Sequence, residues 1–512
     1  MPEQAAMNGP SDQPPHFVLV PFFAPGHMIP MVDIAHLLAE RGVVVTVVLT
    51  PVNAARIRAA IDRARASGLP IRFVEFELPC AELGLPEGCE NSDLVPSLDV
   101  AVKFLYALGS LRAPLVDYLR RQRHHHPPPT CMISDMCHPW TQGVADEFGI
   151  PRLLFHGFSC FALLCTHNIR KHKVYDTLPD EETLFVIPGL PHRIEITRAQ
   201  APGFMQHPGW EKFWGEIMAA EGASYGVVLN SFDELEPLYV ESYQKTTGKT
   251  AWAIGPVCLY NNRDVADRAA RGNEASVDGS RCLSWLDSME PGSVVYACFG
   301  SVTTITPPQL REIGMGLEAS GHPFIWVIKA NEQSPELEEW LLEGSLSFEE
   351  RTKGRALVIR GWAPQVAILS HPAVGGFVSH CGWNSSLEGM AAGVPMVTWP
   401  HFADQFLNEK LIVVVLRVGV SLGVKKHTKW KSEEGGELVK REAVEEAVRK
   451  VMDGGAEGQE RRERAKLLGE RARRSMEDGG SSHENMSRLI QEMSLRRMAV
   501  DCKKTPAHKK KY

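Results

Sequence analysis

Short, almost uniformly apolar runs alternate with helix-spaced segments along this chain, and they do so twice. "HFVLVPFF" passes through "APGH" into "MIPMVDIAHLLAERG", where Ile29, Val32, Ala35, Leu38 and Ala39 recur at helical spacing; Gly42 then precedes "VVVTVVLT". Runs apolar on both faces suit strands of a parallel sheet covered by helices on both sides. "TCMISD", a helical stretch near 141–148 and "PRLLFH" continue the series, and "AWAIGPV" closes it after a less regular section at about 175–220. The polar stretch "YNNRDVADRAARGNEASVDGS" follows. A second series then starts with "SVVYACFG" and a proline-opened helix, "TPPQLREIGMGLEASG". It runs on through "PFIWVIK", "ALVIRG", "VGGFVSH", "PMVTWP" and "VGVSLG". A chain of 512 residues is too long for one core. The pattern predicts an α/β protein of two Rossmann-like, doubly wound domains facing across a cleft. The expected divisions are a disordered tail at 1–15, an N-terminal domain at 16–255, a linker at 256–280 and a C-terminal domain at 281–478. A last helix at 479–498 is expected to pack back on the N-terminal domain, before a basic tail at 499–512.

Charge and composition remove several function classes. The net charge of −7 argues against a general nucleic-acid binder. Eleven cysteines without a CxxC pair read as reduced thiols of a cytoplasmic protein. The first fifteen residues carry no Lys or Arg, so no secretory signal is expected. The apolar stretch Phe17 to Val32 is broken by prolines, and Leu411 to Val424 is short and contains Arg417. Neither reaches the ~20 residues of a membrane span, so no integral membrane segment is expected. "HHHPPP" at 124–129 has no carboxylate beside it and reads as a solvated loop, leaving no expected metal site.

In open parallel sheets, ligands bind outside the carboxyl ends of the strands, so polar residues there carry the chemistry. His27 follows the first strand and Asp135 ends "CMISD". Together they can form a general base and the carboxylate that fixes its tautomer, or each can simply cap a helix. "HCGWNSS" ends a strand and opens a helix, whose free N–H groups with His380, Asn384 and Ser385 suit a phosphate. "CFGSVT", with Ser301 and Thr303, makes a second hydroxyl-bearing turn. Trp362 ends "ALVIRG" and can stack on a base or pack internally. Glu388 lies one turn into the phosphate-facing helix, where a carboxylate makes sense as an acceptor for ribose hydroxyls. Asp404 and Gln405 can hold sugar hydroxyls, or Asp404 can cap the next helix. There is no GxGxxG and no GxxxxGKS. Base, ribose, diphosphate and hexose together fit these parts.

The 44 positions from Trp362 to Gln405 resemble, without a gap, the plant secondary product glycosyltransferase box of the plant family 1 UDP-glycosyltransferases. The resemblance implies the GT-B fold, with the donor in the C-terminal domain and the acceptor in the N-terminal one. It implies Trp362 on uracil with the Ala363 backbone at its edge, and Gln365 and Glu388 on the ribose. Ser301, Thr303, His380, Asn384 and Ser385 would surround the diphosphate, and Trp383, Asp404 and Gln405 the sugar. His27 would be the base and Asp135 its partner. The family often carries Thr or Ser after the "LLF" strand; here His156 and Ser159 stand nearest. A glutamine at the end of the box accompanies glucose. The implied activity is inverting transfer of glucose from UDP-glucose to a hydroxyl of a small lipophilic plant metabolite, giving a β-O-glucoside. Flavonoids or other phenolics come first as acceptors, terpenoids or steroids second. A monomer needing no cofactor and no metal is expected. The competing readings are a UDP-sugar hydrolase or epimerase of the same fold, and a non-catalytic nucleotide-sugar-binding protein. Phe204, Met205, Trp210, Phe213 and Trp214, with Trp140, are the candidates for an apolar acceptor pocket; the alternative is that they fill the core.

Overall fold

The computed structural model describes residues 13–122, 127–202, 209–260, 271, 279–343, 347–428 and 438–504. The histidines at 124–126, Phe204 and Met205 lie outside the described residues. Fifteen strands are described. The first nine are β1 His16–Val20, β2 Val44–Leu49, β3 Ile71–Glu75, β4 Cys131–Asp135, β5 Arg152–His156, β6 Leu184–Val186, β7 Glu195–Thr197, β8 Gly226–Leu229 and β9 Thr250–Ala253. The second series is β10 Val294–Cys298, β11 Phe324–Ile328, β12 Ala356–Arg360, β13 Val374–Ser379, β14 Met396–Thr398 and β15 Gly419–Ser421.

One sheet runs β3-β2-β1-β4-β5-β8-β9 and the other β12-β11-β10-β13-β14-β15, every pair parallel. In both, the order reverses beside the first strand of the series. Each sheet therefore has a switch point, between β1 and β4 and between β10 and β13, where a crevice opens. The inner strands are buried along their whole length, as their uniform apolarity requires. β1 stops before Pro21, which has no N–H for the ladder. β3, "IRFVE", is a half-exposed edge strand, and β6 and β7 form an antiparallel ribbon inside the section expected to be irregular. Met486, Leu489 and Met493 of the last helix, Ser481–Lys504, pack in the same core as Phe17 and Val45. Among the described residues no helix is long and apolar enough to cross a membrane.

Two deeply buried histidines make the fold sensitive to acid. His138 donates through Nε2 to the Pro21 carbonyl at 2.9 Å, and burial pushes its pKa down to about 4. Burial lowers His401 to about 3, with neighbouring His380 and Lys329 adding to the shift. Unfolded imidazoles bind protons below about pH 6.5 and these two cannot, so the unfolded state gains protons as pH falls and stability drops. His27, whose pKa is raised, works in the opposite sense. Between pH 6.5 and 5 the buried pair should remove about 3 kcal/mol. The urea midpoint measured at both pH values checks this; an unchanged midpoint would contradict it.

Candidate active site

The residues expected to carry chemistry converge on the two switch points. His27 lies in the first turn of the Pro25–Glu40 helix that follows β1, and Asp135 is the last residue of β4. His27 Nδ1 stands 2.7 Å from Asp135 Oδ2. A carboxylate can only accept, so Nδ1 donates and Nε2 is left to face the cleft. Asp135 Oδ1 accepts the backbone N–H of Cys137 at 2.9 Å, which fixes the carboxylate in turn. Burial alone would lower the His27 pKa; the charge and hydrogen bond of Asp135, with Asp404 across the cleft, outweigh it and the net shift is upward. Burial also opposes ionisation of Asp135, but its pairing with His27 keeps its pKa low. The imidazole fits because residue 157 is glycine: a Cβ there would stand 2.7 Å from His27 Cε1.

Pro30 shapes the same turn. As a proline it cannot donate to the carbonyl of Gly26 four residues back. That carbonyl instead accepts the side-chain amide of Asn384, from the opposite domain. Asn230 donates to Asn384 Oδ1 at 3.3 Å, and Trp383 Nε1 donates to the Asn230 carbonyl at 2.8 Å. Ser159 Oγ donates to Asn408 Oδ1 at 2.9 Å across the same seam.

On the other side, the loops after β10 and β13 meet over His380. Gly300 has φ 73°, and a side chain there would run into the His380 ring. Burial, with Lys329 adding, pushes the His380 pKa down to about 3, so the ring is neutral. His380 Nδ1 and the Thr303 hydroxyl are buried with no hydrogen-bond partner among the described residues. Ser301, Asn384 and Ser385 line the same space, at the start of the Trp383–Ala392 helix. Gln365 donates to Glu388 Oε2 at 2.7 Å and to Ser385 Oγ at 3.0 Å, so these three form one unit. Trp362 and Ala363 line the cleft beside them. Two non-glycine residues of this rim hold left-handed backbone, Cys381 at φ 63° and Ala403 at φ 55°. Such strain costs about 1–3 kcal/mol per residue and clusters at functional sites.

Asp404 occupies the N-cap position of the Gln405–Lys410 helix but makes no capping hydrogen bond with its side chain. It accepts from Asn408 at 2.7 Å instead, and burial pushes its pKa up to about 7. Gln405 Oε1 accepts the N–H groups of His401 and Phe402, which leaves the amide nitrogen as its other hydrogen-bonding group. All twelve residues expected at the donor line one cavity of about 1550 Å3 together with His27.

This two-sided cleft has close counterparts. Family profiles match at residues 16–259 (glycosyltransferase, N-terminal domain) and at 212–444 (UDP-glucoronosyl and UDP-glucosyl transferase). UDP-glycosyltransferase 73C6 of Arabidopsis thaliana is 49% identical over 94% of this chain and 96% of its own length. UDP-glycosyltransferase 73C13 of Barbarea vulgaris is 50% identical over the same shares. The chain belongs to the plant UDP-glycosyltransferases. The crystal structure of Glycyrrhiza uralensis UGT73P12, complexed with glycyrrhetinic acid 3-O-monoglucuronide, superposes with a TM-score of 0.85 at 37% identity, over 96% of this chain and 98% of that one. Medicago truncatula UGT71G1, complexed with UDP-glucose, gives 0.76 at 25% identity, over 94% and 98%. Phytolacca americana UGT2, complexed with UDP-2fluoro-glucose and pterostilbene, gives 0.72 at 26% identity, over 94% and 99%. The two facing doubly wound sheets are the GT-B fold of this family.

Within this glycosyltransferase the expected acceptor residues divide. Trp210 lines the cleft. His156 and Trp214 line a smaller cavity behind Phe158. Trp140 and Phe213 do not line the cleft: they border a separate shallow hollow with Leu105 and Tyr106. Trp140 packs edge-on against His138, ring centres 5.5 Å apart, and Phe213 shares the buried face of the Glu211–Ala223 helix with Ile217. Ser159 caps the Cys160–Lys171 helix and is bonded to Asn408, so its hydroxyl is already engaged.

Arg271 was not anticipated. It sits in the stretch read as linker, yet it lines the cleft and pairs with Glu388 and, at 2.8 Å, with Asp33 of the Pro25–Glu40 helix. One arginine among several in a polar run gives no periodicity by which to find it.

Proposed function

We propose that this UDP-glycosyltransferase transfers glucose from UDP-glucose to a hydroxyl of a small, rigid, lipophilic plant metabolite, with inversion to a β-O-glucoside. The observation that carries the reading is the His27–Asp135 pair, whose free ring nitrogen faces a cleft that also holds Asp404 and the His380 loop. His27 Nε2 takes the proton of the acceptor hydroxyl as its oxygen attacks the anomeric carbon. The carbon–oxygen bond to UDP breaks on the opposite face, so an α-linked donor gives a β-product. Charge develops on the departing diphosphate, where the N-terminus of the Trp383–Ala392 helix, Ser301, Thr303, Ser385 and His380 stabilise it. Trp362 stacks on uracil, with the Ala363 backbone at its edge. Gln365 and Glu388 hold the ribose. Asp404 and Gln405 hold the hexose, with Trp383 behind them. No metal is required on this reading, because protein groups alone meet the diphosphate.

Glucose as donor is supported by Gln405 and by the complexes of two similar enzymes with UDP-glucose and UDP-2fluoro-glucose. A lipophilic acceptor is supported by the cleft volume of about 1550 Å3 and by the pterostilbene and glycyrrhetinic acid derivative bound by related enzymes. Flavonoids and other phenolics are favoured because their hydroxyls ionise easily and demand least of His27; terpenoid or steroid alcohols come second. The test is competition among equal concentrations of UDP-glucose, UDP-galactose and UDP-glucuronate, with a panel of phenolic, terpenoid and simple-sugar acceptors and mass detection. Glucosides of the lipophilic acceptors should dominate, and EDTA should not change the rate. Preferred galactosides or glucuronides would overturn the donor, and preferred transfer to simple sugars would overturn the acceptor class.

A further inference from the structure

Behind Phe158 lies a cavity of about 40 Å3, large enough for one small polar group or a water but not for a ring. It shares Met136, Phe158 and Asp404 with the main cleft, Phe158 packs edge-on against His27 with ring centres 6.1 Å apart, and His167, Glu221 and the exposed Arg170 complete its polar lining on the outer side. Two of its lining residues carry buried polar atoms with no hydrogen-bond partner among the described residues: His156 Nε2 and Tyr243 Oη, the residues being 2% and 1% exposed. Buried polar groups left unpaired are costly, and each such group asks for an explanation.

Their chemistry specifies what is missing. His156 Nδ1 lies 3.4 Å from Met136 Sδ, and a thioether only accepts, so Nδ1 carries the hydrogen. Burial lowers the His156 pKa and keeps the ring neutral, which leaves Nε2 as a bare lone pair. The same burial holds Tyr243 in its O–H form. One lone pair and one phenolic O–H are satisfied together by a group that both donates and accepts. An alcohol or phenol hydroxyl does this; a carbonyl or ether satisfies Tyr243 alone, and a carboxylate would oppose the His156 lone pair.

We propose that this cavity is a subsite for a second hydroxyl of the acceptor, held between His156 Nε2 and Tyr243 Oη, and that it selects which hydroxyl reaches His27. This rests on the acceptor reading given above and adds regioselectivity to it. Estradiol, with a phenol and an alcohol at opposite ends of a rigid skeleton, and its deoxy analogue keeping only the phenol, are matched probes. The readout is the ratio of their kcat/KM values, together with the ratio of estradiol regioisomers formed. Tyr243→Phe removes one oxygen from a buried ring; it should lower the kcat/KM ratio about fivefold, the worth of a typical hydrogen bond, and even out the regioisomers. His156→Leu should do the same, while His156→Gln, which keeps an acceptor, should recover part of the preference. Equal losses on both probes, unchanged regioisomer ratios, or a crystal structure with a water kept in the cavity beside bound estradiol would overturn the subsite. Glucosylation of neither probe would instead overturn the acceptor reading beneath it.

Discussion

His27→Ala should lower kcat/KM for an unactivated alcohol acceptor by about 10²–10⁴, the usual contribution of a positioned general base. The affinity for UDP, measured by calorimetry, should stay within about twofold, because the residues expected on the nucleotide lie in the other half of the cleft. Retained UDP binding also shows that the variant folds. Acceptors whose hydroxyl is already ionised should lose least, since they ask nothing of the base. Near wild-type turnover of several unactivated alcohols by the variant would remove His27 from the mechanism.

Asp135→Asn keeps the shape of the site and removes its charge. Two effects follow from the geometry. Asp135 Oδ2 fixes the proton on Nδ1, and an amide can present its NH2 instead, turning the imidazole to the wrong tautomer. Its carboxylate also holds the His27 pKa above the ordinary value against the pull of burial. The plateau of kcat/KM should drop by about two to three orders of magnitude. In the unaltered enzyme the rate should fall, as pH is lowered, through a pKa above 6.5. In the variant burial acts with less opposition, so the acid limb should move to lower pH even as the plateau drops. A lower plateau with an unmoved limb would mean that Asp135 supports the fold and does not tune the base.

Much of this site was legible in the sequence because strand ends are legible. Short apolar runs such as "VGGFVSH" and "TCMISD", bounded by turn residues, suit buried strands, and the polar residue that stops each one falls at the crevice. His27, Asp135, His380 and the "CFGSVT" turn with Ser301 and Thr303 could be found in that way, and the gap-free box carried the rest of the donor side. Residues whose direction depends on packing could not. Trp140 and Phe213 are as apolar as Trp210, and only the buried face of one helix and the edge of His138 decide which side they take. The capping role considered for Asp404 failed because Asn408, one turn on, supplies a better partner. The edge strand β3 leaves little trace in the sequence, since half-exposed strands tolerate Arg and Glu, which blur the pattern. Tyr243 and His156 lie far apart in sequence and come together only in the lining of one small cavity.

Pro30 has a consequence for protein engineering. Exchanging the first half of one glycosyltransferase for that of another is an obvious way to graft a new acceptor range onto a known donor half. In this chain the graft boundary runs through a hydrogen bond that exists because a helix gave up one of its own: the Gly26 carbonyl, released by Pro30, is held by Asn384. An incoming half with an ordinary residue at that position would bring a helical N–H to the same carbonyl, to compete with Asn384 for it. The turn bearing His27 would then be less firmly indexed to the half proposed to hold the sugar. A working chimera must therefore import its proline along with its pocket.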